Sequence, residues 1–236
     1  MKIYHISDTH TYHDLLNIPE DIDLVIHSGD CSNPRDPYTN EPEVRNFIHW
    51  FKSLPIKHKI YVAGNHDCSI EKKLVTKKDF EGYNIIYLEN DYVTIEGLKI
   101  FGSPHTPNFG NWAFMKDRSK LNRVWEHVDE GVDIFIVHGP PKGVLDLSYS
   151  RDHILEFCGC SALRKQIVGR IKPKLVCFGH IHSTQDIQNN GVLYQNGIYF
   201  SNGSVVTDGK FGKLTSNGNI FEIDNNKNIK INYEKI

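Results

Sequence analysis

The 236-residue chain is predicted to be an α/β protein with two mixed β-sheets and helices outside them. Three observations predict it. Short apolar runs with the look of buried strands alternate with amphipathic helical stripes, Gly-containing turns mark hairpins, and five strand ends carry ligand-type side chains. The length suits one large domain or two small ones, and 39% hydrophobic residues suffice for a substantial core. No internal repeat or interdomain linker divides the chain, so residues 1–236 are read as one domain.

Five runs read as buried strands: Ile3 to Ile6, Leu24 to His27, Ile60 to Ala63, Ile134 to Val137 and Leu175 to Phe178. Between the second and third, Val44, Phe47, Ile48, Phe51 and Leu54 repeat at helical spacing, and Pro55 stops the helix. The preceding stretch, Asn33 to Pro42, is polar and proline-rich and reads as a loop. Leu121, Val124, Trp125 and Val128 form a second stripe. Ser161 is placed to cap a third helix carrying Leu163, Ile167 and Ile171, which must end before Pro173.

Hairpins follow from turn chemistry. Glu96-Gly97 lies between Tyr92–Ile95 and Leu98–Phe101, and Asn196-Gly197 lies between Val192–Gln195 and Ile198–Ser201. An Asn- and Lys-rich turn joins Phe221–Ile223 to a final strand running from Ile229 to Tyr233.

Charge and cysteine content narrow the partners. A formal net charge of -2 without a basic tract argues against a stable nucleic-acid partner. Five cysteines, Cys31, Cys68, Cys158, Cys160 and Cys177, lack a disulfide framework and read as reduced thiols, which fits a cytoplasmic protein. No signal-peptide pattern precedes the first strand, and no apolar run reaches the roughly 18 residues of a membrane span.

The polar residues at the strand ends carry the chemistry. They are Asp8-Thr-His10, Gly29-Asp30, Gly64-Asn-His-Asp67, His138-Gly-Pro-Pro141 and Gly179-His-Ile-His182. Each motif alone is uninformative, but in an α/β sheet the carboxyl ends of strands converge on one crevice. Oxygen and nitrogen donors without thiolates suit Mn, Fe or Zn. About seven donors exceed one tetrahedral zinc and suit two ions sharing a carboxylate. Gly29, Gly64 and Gly179 allow tight turns and close backbone approach.

In these blocks the chain resembles the calcineurin-like metallophosphoesterase superfamily, and more narrowly the small MPPED-type metallophosphodiesterases. The narrower likeness rests on Leu24–Asp30, Tyr61–His66, Ile100–Pro104, Gly131–Pro141 and Val176–His182, so it covers most of the chain. The resemblance implies two mixed sheets packed as a sandwich and flanked by helices. It implies two divalent metal ions, with manganese favoured over iron or zinc. Asp8, His10 and His182 would hold the first, Asn65, His138 and His180 the second, and Asp30 would bridge them. His66 would assist the leaving group, and Asp67 would orient its imidazole. The implied reaction is hydrolysis of a small phosphodiester, such as a cyclic nucleotide, by a metal-bridging hydroxide. A phosphomonoesterase such as a 5′-nucleotidase and a catalytically silent nucleotide-binding module stand as alternatives.

Related protein phosphatases carry an arginine in a G-D-x-V-D-R-G block, whereas here the block reads Gly29-Asp-Cys-Ser-Asn-Pro-Arg35, so phosphoproteins are disfavoured. The aromatic segment His105 to Phe114 offers His105, Phe109 and Trp112 as candidate substrate contacts, or as packing beneath a long loop. His5 and His27 read as core or supporting residues. His13, His49, His58, His127 and His153 read as surface or helix residues, and Lys142 and Lys210 as solvent-facing.

Overall fold

The computed structural model describes residues 1–150, 152–207 and 212–232; Lys210 and Tyr233 lie outside the described residues. In the first half, β1 (Lys2–Ile6) and β2 (Leu24–His27) lead into α1 (Pro37–Ser53) and β3 (His58–Tyr61). The short α2 (Cys68–Glu71) and α3 (Lys77–Glu81) precede β4 (Ile86–Tyr87), the hairpin of β5 (Asp91–Ile95) and β6 (Leu98–Ser103), and the clasp of β7 (Thr106–Pro107) and β8 (Met115–Lys116). In the second half, α4 (Arg118–Glu126) and β9 (Ile134–Val137) are followed by β10 (Leu147–Tyr149), β11 (Leu155–Phe157) and α5 (Ser161–Gln166). The chain ends in β12 (Leu175–Phe178), β13 (Gly191–Gln195), β14 (Ile198–Asn202), β15 (Asn219–Ile223) and β16 (Ile229–Asn232).

Two six-stranded sheets result, ordered β16-β15-β1-β2-β3-β4 and β13-β14-β12-β9-β6-β5. In each, four strands run parallel, and the remaining strands are antiparallel. Side-chain alternation explains how the sheets stack. Ile3, Leu24, Ile26, Ile134, Ile136, Leu175 and Cys177 pack in one core between them. Their strand neighbours Tyr4, Val25, Phe135, Val176 and Phe178 face outward into two helix-covered cores. A strand buried on both faces must be apolar throughout, which is why these runs are unbroken in sequence. The predicted sandwich of mixed sheets flanked by helices is the observed architecture.

Several element boundaries differ from expectation. The loop predicted over residues 33–42 ends at Asp36, whose Oδ1 accepts the Tyr38 and Thr39 amides at 3.2 and 3.0 Å and starts α1. Pro37 occupies the first helical position, where a missing N–H costs nothing, and Pro42 is accommodated inside the helix. The third strand begins at His58, two residues before Ile60, because His58 pairs with Leu24 in the sheet register. Cys160, and not Ser161, caps α5: its Sγ accepts the Leu163 amide at 3.4 Å. His13 is buried against Phe47 and Trp50, with Nε2 2.9 Å from Asn46.

Both Gly-containing hairpins form as expected. Glu96-Gly97 and Asn196-Gly197 have positive φ at both positions, the conformation that matches the twist of the paired strands.

Candidate metal centre

The strand-end loops depart from ordinary backbone geometry where they carry donors. Asp8, His10, Asp30 and His180 all have positive φ, at 52°, 43°, 59° and 70°. A non-glycine residue there costs on the order of 1–3 kcal/mol and persists only where surrounding bonds over-determine it. Such bonds are present. The Asp8 amide donates to the Gly29 carbonyl at 2.8 Å, and the His10 amide to that of Asp30 at 3.1 Å. His27 links the same loops: its Nδ1 accepts the Gly29 amide, so the proton lies on Nε2, which donates to Thr9 Oγ1 at 3.0 Å.

The predicted glycines make room for the carboxylates themselves. A Cβ on Gly64 would collide with Asp30 Oδ1, and one on Gly179 with Asp8 Oδ2 and Ser7 Oγ. Gly29 needs its freedom twice, with φ of 113° and His138 Nδ1 only 2.5 Å from an added Cβ.

All seven predicted metal ligands come together. Three overlapping groups have donor atoms within 4.8 Å of one another: Asp8–His10–His182, His10–Asp30–His66 and Asp30–His138–His180. Asn65 joins the third, with Oδ1 3.0 Å from His138 Nε2. His182 Nε2 lies 3.0 Å from Asp8 Oδ1, and His138 Nε2 lies 3.2 Å from Asp30 Oδ2.

Electrostatics make this a site for positive charge. Burial opposes ionisation of Asp8 and Asp30, yet the surrounding imidazoles hold both below the usual carboxylate range. Burial also opposes a proton on His138, but Asp30 and Asp8 outweigh it and lift the group to about 9. His10 and His180 are lowered to about 4 and about 3, burial being the largest cause, so both are neutral near pH 7. Neutral imidazoles and ionised carboxylates are the coordinating forms, so His138 would give up its proton to a bound cation, and the donor set fits divalent cations.

Supporting contacts that carry no sequence signature hold the donors. Ser204 Oγ donates to Asp8 Oδ2 at 2.7 Å, and the Ser28 carbonyl accepts from His138 Nδ1 at 2.8 Å. His5, buried between the sheets, bridges Ser28 and Ser201. It is lowered to about 3 by burial.

Asp67 does not touch the His66 imidazole as expected. The chain turns into α2 at this point, and the carboxylate faces inward. It accepts from the Asp30, Cys31 and Gly64 amides and from Ser32, Tyr61 and Cys31 side chains. The His66 ring is oriented instead by Nδ1–H donation to the Asn33 carbonyl at 3.0 Å.

Of the donors, Asp30, Asn65, His180 and His182 line a cleft of about 680 Å³, together with His66. Phe109 and Trp112 line it, their rings 5.3 Å from His180 and 4.2 Å from His66, with Arg35 3.5 Å over the Trp112 ring. His105 lies apart from the cleft lining. Its Nδ1 donates to the Phe114 carbonyl and its Nε2 meets the Asn90 amide, bracing the aromatic loop. Exposed Lys142 stands at the cleft. So does the β10–β11 hairpin, which went unread in the sequence although Leu147-Ser-Tyr149 and Leu155-Glu-Phe157 alternate at strand spacing.

A family model described as calcineurin-like phosphoesterase matches residues 1–184. Metallophosphoesterase domain-containing protein 1 of Homo sapiens and of Mus musculus are each 35% identical over 209 residues, covering 79% of this chain and 62% of the relative. The chain therefore spans less than two thirds of their length. A UPF0046 protein of Caenorhabditis elegans is 33% identical over 203 residues, covering 79% of this chain and 70% of its own. The crystal structure of a hypothetical protein from Thermus thermophilus aligns with 98% of both chains at 14% identity and a TM-score of 0.48.

Proposed function

The chain belongs to the calcineurin-like phosphoesterase family, and from that premise we propose that it is a dinuclear-metal phosphodiesterase acting on a small phosphodiester, a cyclic nucleotide. Residues 1–236 form one metallophosphoesterase domain in this reading. The observation that carries it is the linking of three donor groups through His10 and Asp30, which offers more nitrogen and oxygen donors than one four-coordinate ion takes.

Asp8, His10 and His182 would hold one ion and Asn65, His138 and His180 the other, with Asp30 available to both. When bound, divalent ions, manganese in this reading, would supply an acidified water and positive charge against the phosphoryl oxygens. His66 is the proton donor to the leaving oxygen. Its Nδ1–H is committed to the Asn33 carbonyl, which fixes the ring and leaves Nε2 for proton transfer. Asp67 is a positioning residue beneath Asp30. Phe109 and Trp112 form one wall against the substrate. No helix among the described residues is long and apolar enough to cross a membrane.

The test is turnover by metal-stripped protein titrated with Mn²⁺, using bis-p-nitrophenyl phosphate and p-nitrophenyl phosphate in parallel. Metal-dependent cleavage favouring the diester is expected. Preference for the monoester would replace this reading with a phosphomonoesterase of the 5′-nucleotidase type. Two bound ions without cleavage of either compound would replace it with a silent nucleotide-binding module.

A further inference from the structure

The β10–β11 hairpin carries an apolar surface for which neither the fold nor the donor groups account. Its register pairs Tyr149 with Leu155 and Leu147 with Phe157, so four apolar side chains share one face of the ribbon. Tyr149, Leu155 and Phe157 are 49%, 48% and 50% exposed. Clustered apolar exposure of this kind marks a binding surface.

The ribbon is firmly anchored. The Asn189 side chain accepts the Leu147 amide at 3.1 Å and donates to the Leu147 carbonyl at 2.8 Å. At the other strand the Arg118 guanidinium donates to the Cys158 and Gly159 carbonyls, both at 2.9 Å. These bonds fix the backbone at the two ends of the ribbon, so the strands that carry the rings need little ordering on binding a ligand.

Tyr149 and Phe157 line the same cleft as Asp30, Asn65, His66 and His180. One continuous cavity therefore offers cation-holding donors at one part and an exposed aromatic surface at another. We propose that Tyr149 and Phe157 form a base-binding subsite, stacking the planar heterocycle of a nucleotide whose phosphate lies at the donor groups. This rests on the reading of the cleft as a phosphate-ester site. It adds a second aromatic surface to that of Phe109 and Trp112 and assigns to the hairpin the selection of nucleotides over base-free phosphates. Stacking needs no particular base edge, so these rings select for a base without selecting its identity.

The experiment is calorimetric binding of AMP and of ribose 5-phosphate to the Mn²⁺-loaded protein, comparing the natural chain with a Tyr149→Ala/Phe157→Ala double variant. The two probes share ribose and phosphate and differ at the anomeric carbon, which bears the base in AMP and a hydroxyl group in ribose 5-phosphate. The natural protein is expected to bind AMP at least about tenfold more tightly. The double variant should lose that preference and keep its ribose 5-phosphate affinity within about twofold. Absence of a preference in the natural protein would overturn the subsite, as would its survival in the variant or equal loss of both affinities. Turnover plays no part in this comparison, so failure of the phosphodiesterase reading would be seen separately, as absent metal-dependent cleavage of bis-p-nitrophenyl phosphate.

Discussion

The Asp67 carboxylate accepts the Asp30 backbone N–H at 2.9 Å, so the aspartate shared by two donor groups is held from behind by a wholly buried acid. Asp67→Asn would turn an amide donor towards some of the N–H and O–H groups that now donate there. One or more buried donors would lose their acceptor, at a cost of about 1–3 kcal/mol. For a chain of this size the expected result is a thermal midpoint lower by about 2–12 °C, with weaker metal binding. An unchanged midpoint with unchanged metal content would show that the carboxylate is idle.

Asp30 belongs to two donor groups, and no other carboxylate among the described residues does so. Asp30→Ala is expected to lose bound metal and turnover together, measured by metal analysis after dialysis and by diester cleavage. Retained turnover would remove Asp30 from the shared position.

His66 is expected to separate metal binding from chemistry. His66→Ala should keep its ions while kcat falls by about 10²–10⁴-fold, the usual contribution of a positioned proton donor. Because His66 also belongs to the geometric group His10–Asp30–His66, loss of an ion in this variant would make it a ligand instead.

Gly179→Ala tests how closely the fold is built around the donors. The added Cβ would overlap Asp8 Oδ2 and Ser7 Oγ, displacing the carboxylate of the first donor group. Bound metal should fall from about two ions towards one, the two-ion starting count following from the dinuclear reading. Gly169→Ala, where a Cβ meets nothing within 4 Å, is the control and should bind as the natural chain does.

Acid should weaken the metal-free fold through two buried imidazoles. Burial lowers His5 from 6.5 to about 3 and holds His27 well below 6.5. The unfolded chain therefore binds more protons than the folded one between those values. Stability is full above about pH 6.5 and falls as pH drops towards the folded values, by about 1.4 kcal/mol per pH unit for each group. Urea midpoints measured at pH 7, 6 and 5 should decline, and less steeply in His5→Gln. Level midpoints would contradict the burial of neutral imidazoles.

The donors were legible because strand, turn and ligand types coincide in the sequence. Leu24–His27, Ile134–Val137 and Leu175–Phe178 match their strands residue for residue, since strands covered on both faces leave no polar interruption. The start of α1 was hidden because prolines that signal a loop also occupy first helical turns. Asp67 was misdirected because adjacency to His66 in sequence says nothing about direction once the chain turns at α2. The β10–β11 hairpin is hard to read for a different reason: its alternation spans only three residues in each strand, and its apolar face is exposed and joins no core.

The donor groups also constrain when the molecule can become itself. His182 meets Asp8 across 174 positions of chain, and the N-terminal ammonium donates to the Ile223 carbonyl across 222. Contacts so distant along the chain form late and slowly, after most of the loop entropy has been lost. Asp8 must wait for His182, 174 positions further along the chain, before the first donor group can enclose an ion. Metal uptake by a refolding sample should therefore track completion of the whole architecture, arriving with the meeting of Asp8 and His182 across the two sheets and lagging the pairing of β1, β2 and β3.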